Sequence, residues 1–201
     1  MNTIDFGKIK IRLINEDIDL NQFNCGNNDL NEFLKEDCIV QKKIMLNTTY
    51  LCTYNKEIVG FITISTDSIN IKELGEEYEE TFQNKKINYK RFPAIKIGRL
   101  AVDNKFQNKG IGEFLLHYLF EYLLKMSKEL GFRFLSIDAY LYAYEFYTKN
   151  YFEVIPSHNE IIPSHNEKLE KIFQKFENSK IKNPEMANRM TISMFFDLYN
   201  I

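Results

Sequence analysis

The chain has 201 residues, 44% of them apolar and 27% charged, which suits one domain with a sizeable core and leaves too little for two. Its 26 basic and 28 acidic side chains give a net charge of −2, so no overall positive field announces nucleic acid as a partner. No run approaches the roughly 18 apolar residues of a membrane helix, and the start MNTIDFGKIK has no apolar segment behind a basic flank, so a cytoplasmic location and no membrane partner are expected.

Lys8 to Asn15 (KIKIRLIN) alternates apolar and polar residues and predicts a first strand. Asn27 to Val40 places Leu30, Phe33, Leu34 and Cys38 at spacings of three and four behind a cluster of Asn and Asp, the pattern of a capped amphipathic helix. TTYLCTY and EIVGFITIS are two β-rich runs joined at Asn55-Lys56, the length of a tight hairpin loop. Thr66 to Phe92 holds five glutamates between Glu73 and Glu80, then Lys85, Lys86, Lys90 and Arg91, and is expected to be a solvated excursion beside a substrate entrance. AIKIGRLAV, Ala94 to Val102, predicts a buried strand. A glycine-containing turn then leads into a helix with Ile111, Leu115, Tyr118, Leu119, Tyr122, Leu123 and Met126 on its apolar face, ending near Gly131.

RFLSIDA predicts the next strand, so that strand, helix and strand form a crossover unit with the glycine turn at the carboxyl end of the first, where ligands collect. A short helix (Ala143 to Asn150), a strand (Phe152 to Ile155) and a last strand (Met190 to Leu198) follow. Before the last strand, IPSHNEI at Ile155 is repeated as IPSHNEK at Ile162, a tandem duplication too short for a repeat architecture. In the second copy Ser164 and Glu167 predict a capping box for a helix whose Leu169, Ile172, Phe173 and Phe176 form one stripe. Cys25, Cys38 and Cys52 are an odd set without a C-x-x-C pair, and His117, His158 and His165 lack ligand spacing, so reduced, mostly buried thiols and no metal are expected.

The chemistry concentrates in Gln107-Asn108-Lys109-Gly110-Ile111-Gly112, between a buried strand and a helix start. Glycines there let successive N–H groups converge on one anion, and the helix dipole adds about half a positive charge, which fits a pyrophosphate. Lys109 is expected to add mobile charge at the rim and Gln107 to donate through its amide. A Walker loop requires Lys and Ser or Thr where Glu113 and Phe114 stand, and a dinucleotide fingerprint requires glycine where Leu115 stands, so both readings fail.

The same string matches the Q/R-x-x-G-x-G/A signature of GNAT acetyltransferases. IGRLAVD upstream resembles that family's central strand, and AYEFYTKNYF downstream resembles its A-x-x-F-Y-x-x-x-G-F segment. FNCGNNDLNEFL, together with IGRLAVD, is similar to the branch containing toxin-type acetyltransferases. The departures are Tyr151, where the family has glycine, and an insertion of roughly thirty residues before the last strand, which bear on the acceptor side. The resemblance implies an α/β GNAT fold: a mixed central sheet of about six or seven strands flanked by helices, with an extra helical insertion before the last strand. Residues 1–201 then form a single N-acetyltransferase domain, with the insertion at about 156–186.

It further implies acetyl-CoA as cosubstrate, held by Leu100, Ala101, Val102, Gln107, Asn108, Lys109, Gly110, Ile111, Gly112, Ala143 and Phe146. The Val102 N–H is placed at the thioester as an oxyanion donor, and Tyr147 is placed as the acid that protonates the departing thiolate. No residue is singled out as the base: Glu145, Asp103 and Asp138 are candidates by charge alone, each better read as a surface or structural carboxylate, and water can serve instead. The acceptor is expected to be a primary amine on a small molecule or polypeptide, attacking directly. Two alternatives are a toxin-type acetyltransferase of aminoacyl-tRNA and a catalytically silent acyl-CoA-binding module, against which Tyr147 speaks. A homodimer is a candidate assembly, and tRNA is not favoured on the ground of net charge.

Overall fold

The computed structural model describes residues 4–156 and 165–200 of the chain. Seven strands form one mixed sheet in the order β1-β2-β3-β4-β5-β7-β6: β1 Ile9–Leu13, β2 Thr48–Tyr54, β3 Glu57–Asn70, β4 Arg91–Val102, β5 Phe134–Tyr140, β6 Glu153–Val154 and β7 Thr191–Asp197. Helices flank it, as expected of this fold. The contacts divide into two compact units, Met1–Thr66 with Ile95–Gly131, and Asp67–Ala94 with Phe132–Ile201.

In the first unit β1 pairs antiparallel with β2, and β2 with β3. The hairpin closes through Asn55 and Lys56 at φ 50° and 70°, both left-handed, which matches the twist of the strands it joins. A buried pair, Thr49 Oγ1 and Thr63 Oγ1 at 2.8 Å, ties β2 to β3 internally, so neither hydroxyl is left unsatisfied. The helical run after β1 is α1 Asn28–Glu32, a π-helical turn Phe33–Asp37 and α2 Cys38–Lys43. The Asn27 side chain caps it by accepting from Leu30 N at 3.2 Å. Spacing alone predicts an unbroken helix here, because a single π turn shifts the apolar positions by less than the period resolves. Phe33 and Phe23 leave this segment to pack against Phe61 of β3, with centroids 6.2 and 5.5 Å away. The long helix α4, Ile111–Leu130, buries Ile111, Leu115, Leu116, Leu119 and Leu123, and stops at Gly131 with φ 69°. Burial pushes the Cys38 thiol up to about 11 and Cys52 up to about 12, so both are inert core groups, and all three cysteines are free.

The second unit is built on β5, β7 and β6, paired antiparallel through β7. The expectation of a solvated excursion at Thr66 to Phe92 is corrected here. β3 runs on to Asn70, and α3, Glu76–Asn84, turns its glutamates outward while Phe82 goes inward. Ile69, Ile71, Leu74, Phe82 and Phe92 join Phe134 and Phe195 in one buried cluster, with Tyr78 packed on it. A window average of charge hides this, because each turn of α3 contributes only one apolar residue. In the insertion, α6 (His165–Lys182) turns its stripe inward: Phe176 is buried and Phe173 meets Tyr144 at 5.0 Å. A further helix, α7 Pro184–Arg189, is capped by the Asn183 side chain and delivers the chain to β7. Ser164 and most of the duplicated segment lie outside the described residues, so the proposed capping box is not part of this account. Among the described residues, no helix is long and apolar enough to cross a membrane.

The central polar contact of this unit is Arg133, which clasps Asp197 with two bonds of 2.9 and 2.6 Å under the rings of Tyr78, Phe82, Phe134 and Tyr199. The Asp197 side chain is only 2% exposed. Removing the guanidinium strands a buried carboxylate, so Arg133→Met is expected to lower stability by about 3 kcal/mol. The shift of the urea unfolding midpoint measures this, and adding Asp197→Leu to the same chain is expected to recover much of the loss.

Candidate functional site

The turn between β4 and α4 is organised from beneath by side-chain hydrogen bonds. Asp103, 4% exposed, accepts from Lys105 N at 3.0 Å and from Asn24 N at 2.9 Å, so its two oxygens fix the turn and join it to the segment before α1. Asn104 N donates to Asn24 O at 2.9 Å. Within that segment Asn24 Oδ1 accepts from Gly26 N and from Asn31 Nδ2, both at 2.9 Å, and Asn31 Oδ1 accepts from Cys25 N at 2.9 Å. Gly26 has φ +84°, and a Cβ there would stand 3.1 Å from the Asn104 amide oxygen, so a side chain would be strained by the backbone and would press on Asn104. The FNCGNN string is thus a polar clamp on the β4–α4 turn.

Gln107 completes the clamp. Its amide nitrogen lies 3.0 Å from Cys25 O, 3.0 Å from Val102 O and 3.0 Å from Asn104 Oδ1, more acceptors than its two hydrogens can satisfy separately. In this structure the exposed amide thus joins three parts of the loop. The Lys109 ammonium, also exposed, donates to Lys105 O at 2.7 Å and lies 5.4 Å over the Phe106 ring.

The crest of the loop keeps its backbone donors. Asn108 has φ 58° and Gly110 φ 81°, and Gly110 caps α4 without any side-chain bond. The helical ladder begins with Phe114 N donating to Gly110 O at 3.0 Å, so the N–H groups of Ile111, Gly112 and Glu113 precede it. The first turn of this twenty-residue helix puts its positive end at the loop, a place that suits an anion such as a pyrophosphate. Phe6, which no motif marks, stands 3.1 Å from where a Gly110 Cβ would be and packs on Phe114 at 5.3 Å.

Leu100, Ala101 and Val102 end β4. Asp103 N donates to Val59 O at 2.9 Å, and a Cβ on Gly60 would come within 2.8 Å of Ala101 O, so residues 101 and 103 address β3. Since N–H directions alternate along an extended strand, the N–H groups of Leu100 and Val102 turn to the edge away from β3. That is the direction an added pseudo-strand of pantetheine requires.

The remaining expected residues, Ala143, Phe146 and Tyr147, belong to the second unit. Ala143 precedes α5, Tyr144–Lys149, and Tyr147 is 5% exposed between the rings of Phe146 and Phe152, at 5.0 and 5.5 Å. Burial, with a smaller contribution from Tyr142, holds the Tyr147 phenol well above its usual range, so the proton stays on oxygen across the physiological span. Of the three carboxylates, Asp103 is structural, Asp138 accepts from Ser193 Oγ at 2.7 Å, and Glu145 lies exposed 3.7 Å from Lys149. Tyr151 adopts φ 66° and is 78% exposed, which explains the glycine otherwise found there: the position demands a left-handed backbone, and here a tyrosine accepts it.

The family model described as an acetyltransferase (GNAT) domain matches residues 46–154. Among solved structures, AtaT complexed with acetyl-methionyl-tRNAfMet is similar with a TM-score of 0.72 and 22% identity, over 96% of each chain. A tyrosine-to-phenylalanine mutant of KacT gives the same TM-score, identity and coverage. A mutant AtaT toxin bound to the C-terminus of the antitoxin AtaR and acetyl-CoA has a TM-score of 0.63 and 19% identity, over 96% of this chain and 95% of that one. Likeness at these identities speaks for the fold. It also overturns the expectation that tRNA is not favoured: a chain of this fold is found complexed with a charged and acetylated tRNA, so a net charge of −2 is no ground for setting tRNA aside.

The clamp generates a prediction of its own. Gln107→Leu removes these exposed contacts while keeping the volume, and is expected to destabilise the protein by about 1 kcal/mol, with Cys25 O and Val102 O losing a donor. Thermal unfolding reads the loss. Hydrogen exchange is expected to speed up locally at Asn104 to Gly112.

Proposed function

The chain belongs to the GNAT acetyltransferase family and is an acyltransferase, and from that premise we propose that it moves the acetyl group of acetyl-CoA to the amino group of an aminoacyl-tRNA. The observation that carries the acceptor is the likeness to AtaT complexed with acetyl-methionyl-tRNAfMet, which extends over 96% of this chain, well beyond the residues the family model matches. In this reading residues 1–201 act as one domain, with 156–186 as an insertion. An antitoxin is the regulatory partner it carries, by likeness to AtaT with AtaR.

The N–H groups of Ile111, Gly112 and Glu113 hold the pyrophosphate, with Asn108, Lys109 and Gly110 shaping the approach and Gln107 acting through the loop rather than on the ligand. Leu100, Ala101 and Val102 lie along the pantetheine arm, and Ala143 and Phe146 line its thiol end. Acetyl-CoA supplies the activated carbonyl. As the amine nitrogen forms its bond to that carbon, charge develops on the carbonyl oxygen, and the Val102 N–H stabilises it. The carbon–sulfur bond then breaks, Tyr147 gives its proton to the sulfur, and the ammonium proton leaves to water. A buried phenol is a weaker acid than an exposed one, but the same burial makes the thiolate more basic, so the transfer remains matched.

Four measurements test this. Acetylation of bulk charged tRNA with labelled acetyl-CoA is expected, and transfer only to polyamines, free amino acids or peptides would defeat the acceptor assignment. Gly112→Asp fills the anion site with a carboxylate and is expected to abolish acetyl-CoA binding in calorimetry. Tyr147→Phe is expected to keep that binding while lowering turnover about ten- to a thousandfold where chemistry limits the rate. Because the phenol's pKa is raised, the wild-type rate is expected to show no alkaline fall from Tyr147 below about pH 10.

A further inference from the structure

Arg99 stands apart from the other cations near the site. It is exposed on β4, three residues before Val102, and its guanidinium lies 4.9 Å over the buried ring of Phe33, the residue that opens the π-helical turn. One N–H donates to its own strand, Nη1 to Gly98 O at 2.7 Å. No carboxylate among the described residues pairs with it. The side chain is therefore pinned from below and beside by a ring and a carbonyl, with most of its five donors unused. An arginine held in this way has already lost much of its rotamer freedom, which is the cost a flexible cation meets when it binds an anion.

Its distance from the reaction centre suggests which anion. Three residues of strand separate Arg99 from the Val102 N–H, about 10 Å. In an aminoacyl-tRNA, eight covalent bonds join the attacking amine to the 5′ phosphorus of the terminal nucleotide, and that path spans roughly 8 to 10 Å when extended. An amine at the thioester thus places that phosphate within reach of the guanidinium. On the aminoacyl-tRNA reading, we propose that Arg99 binds the phosphate of the acceptor's terminal nucleotide through its planar fork. Arg99 then distinguishes a nucleotide-linked amine from a free amino acid, which carries no phosphate at that distance.

The test compares wild type with Arg99→Met and Arg99→Lys on two acceptors: the charged tRNA that the wild-type protein acetylates, and the matching 3′-aminoacyl adenosine. The second has the same ester, amine and ribose but no phosphate. For charged tRNA, Arg99→Met is expected to raise KM about ten- to a hundredfold with kcat little changed, and to flatten the logarithmic salt slope by about 0.7, one single-strand phosphate contact. Arg99→Lys is expected to recover part of the KM. For the adenosine ester, all three proteins are expected to perform alike, with unchanged acetyl-CoA affinity and melting. An equal loss on both acceptors, or no loss on charged tRNA, overturns the role of Arg99 and leaves the acceptor assignment standing. Failure of the wild-type protein to acetylate any charged tRNA overturns both.

Discussion

The cofactor loop depends on one amide. Gln107 Nε2 stands between the carbonyls of Cys25 and Val102 and the Asn104 side chain, and so joins the segment before α1, the end of β4 and the turn into α4 at a single point. Asp103 does the same from below with both carboxylate oxygens. Side chains from three separate segments thus hold the turn in shape, while Asn108 and Gly110 take the left-handed backbone that lets it bend into α4.

Preorganisation of this kind recurs on β4. Val102 offers its N–H at the edge away from β3 because Asp103 is bonded to β3, and Gly60 permits that bond by leaving room for Ala101 O. Arg99 is held by Phe33, and Phe33 by its packing on Phe61. The loop, the end of β4 and Arg99 are therefore all held by contacts within the first unit. On the proposed roles, each would meet its ligand with little ordering cost.

Much of this was legible in the sequence. Gly110 and Gly112 behind a buried strand announced a turn into a helix start, and the Asn55-Lys56 hairpin, α4, α5 and the last strand follow from period and caps. What escaped was carried by contacts distant along the chain. The bond between Gln107 and Cys25 spans 82 residues and leaves no mark on local periodicity, so a glutamine that shapes the loop looks the same in the sequence as one that binds the ligand. Tyr78 and Phe82 were hidden by the glutamates around them, although one apolar residue per turn is enough to anchor α3 when Phe92 and Phe134 wait opposite. Tyr151 was visible as a departure, but only its φ of 66° shows that the chain keeps the left-handed bend that glycine makes elsewhere.

Net charge misleads about tRNA for a reason of scale. At physiological ionic strength the Debye length is about 8 Å, so charges spread over a whole domain are screened from one another and from a ligand bound at one end. A sum of −2 over 201 residues describes none of the local fields. The sum would matter for a protein that follows a duplex and neutralises six to ten phosphates. An enzyme that needs only the amine at the tip of a single-stranded end can work with far fewer contacts, provided each is held at the right distance from the reacting carbon. One arginine stacked on a buried ring, as Arg99 is on Phe33, would meet that condition on the proposed reading better than a diffuse basic face, because it adds position as well as charge.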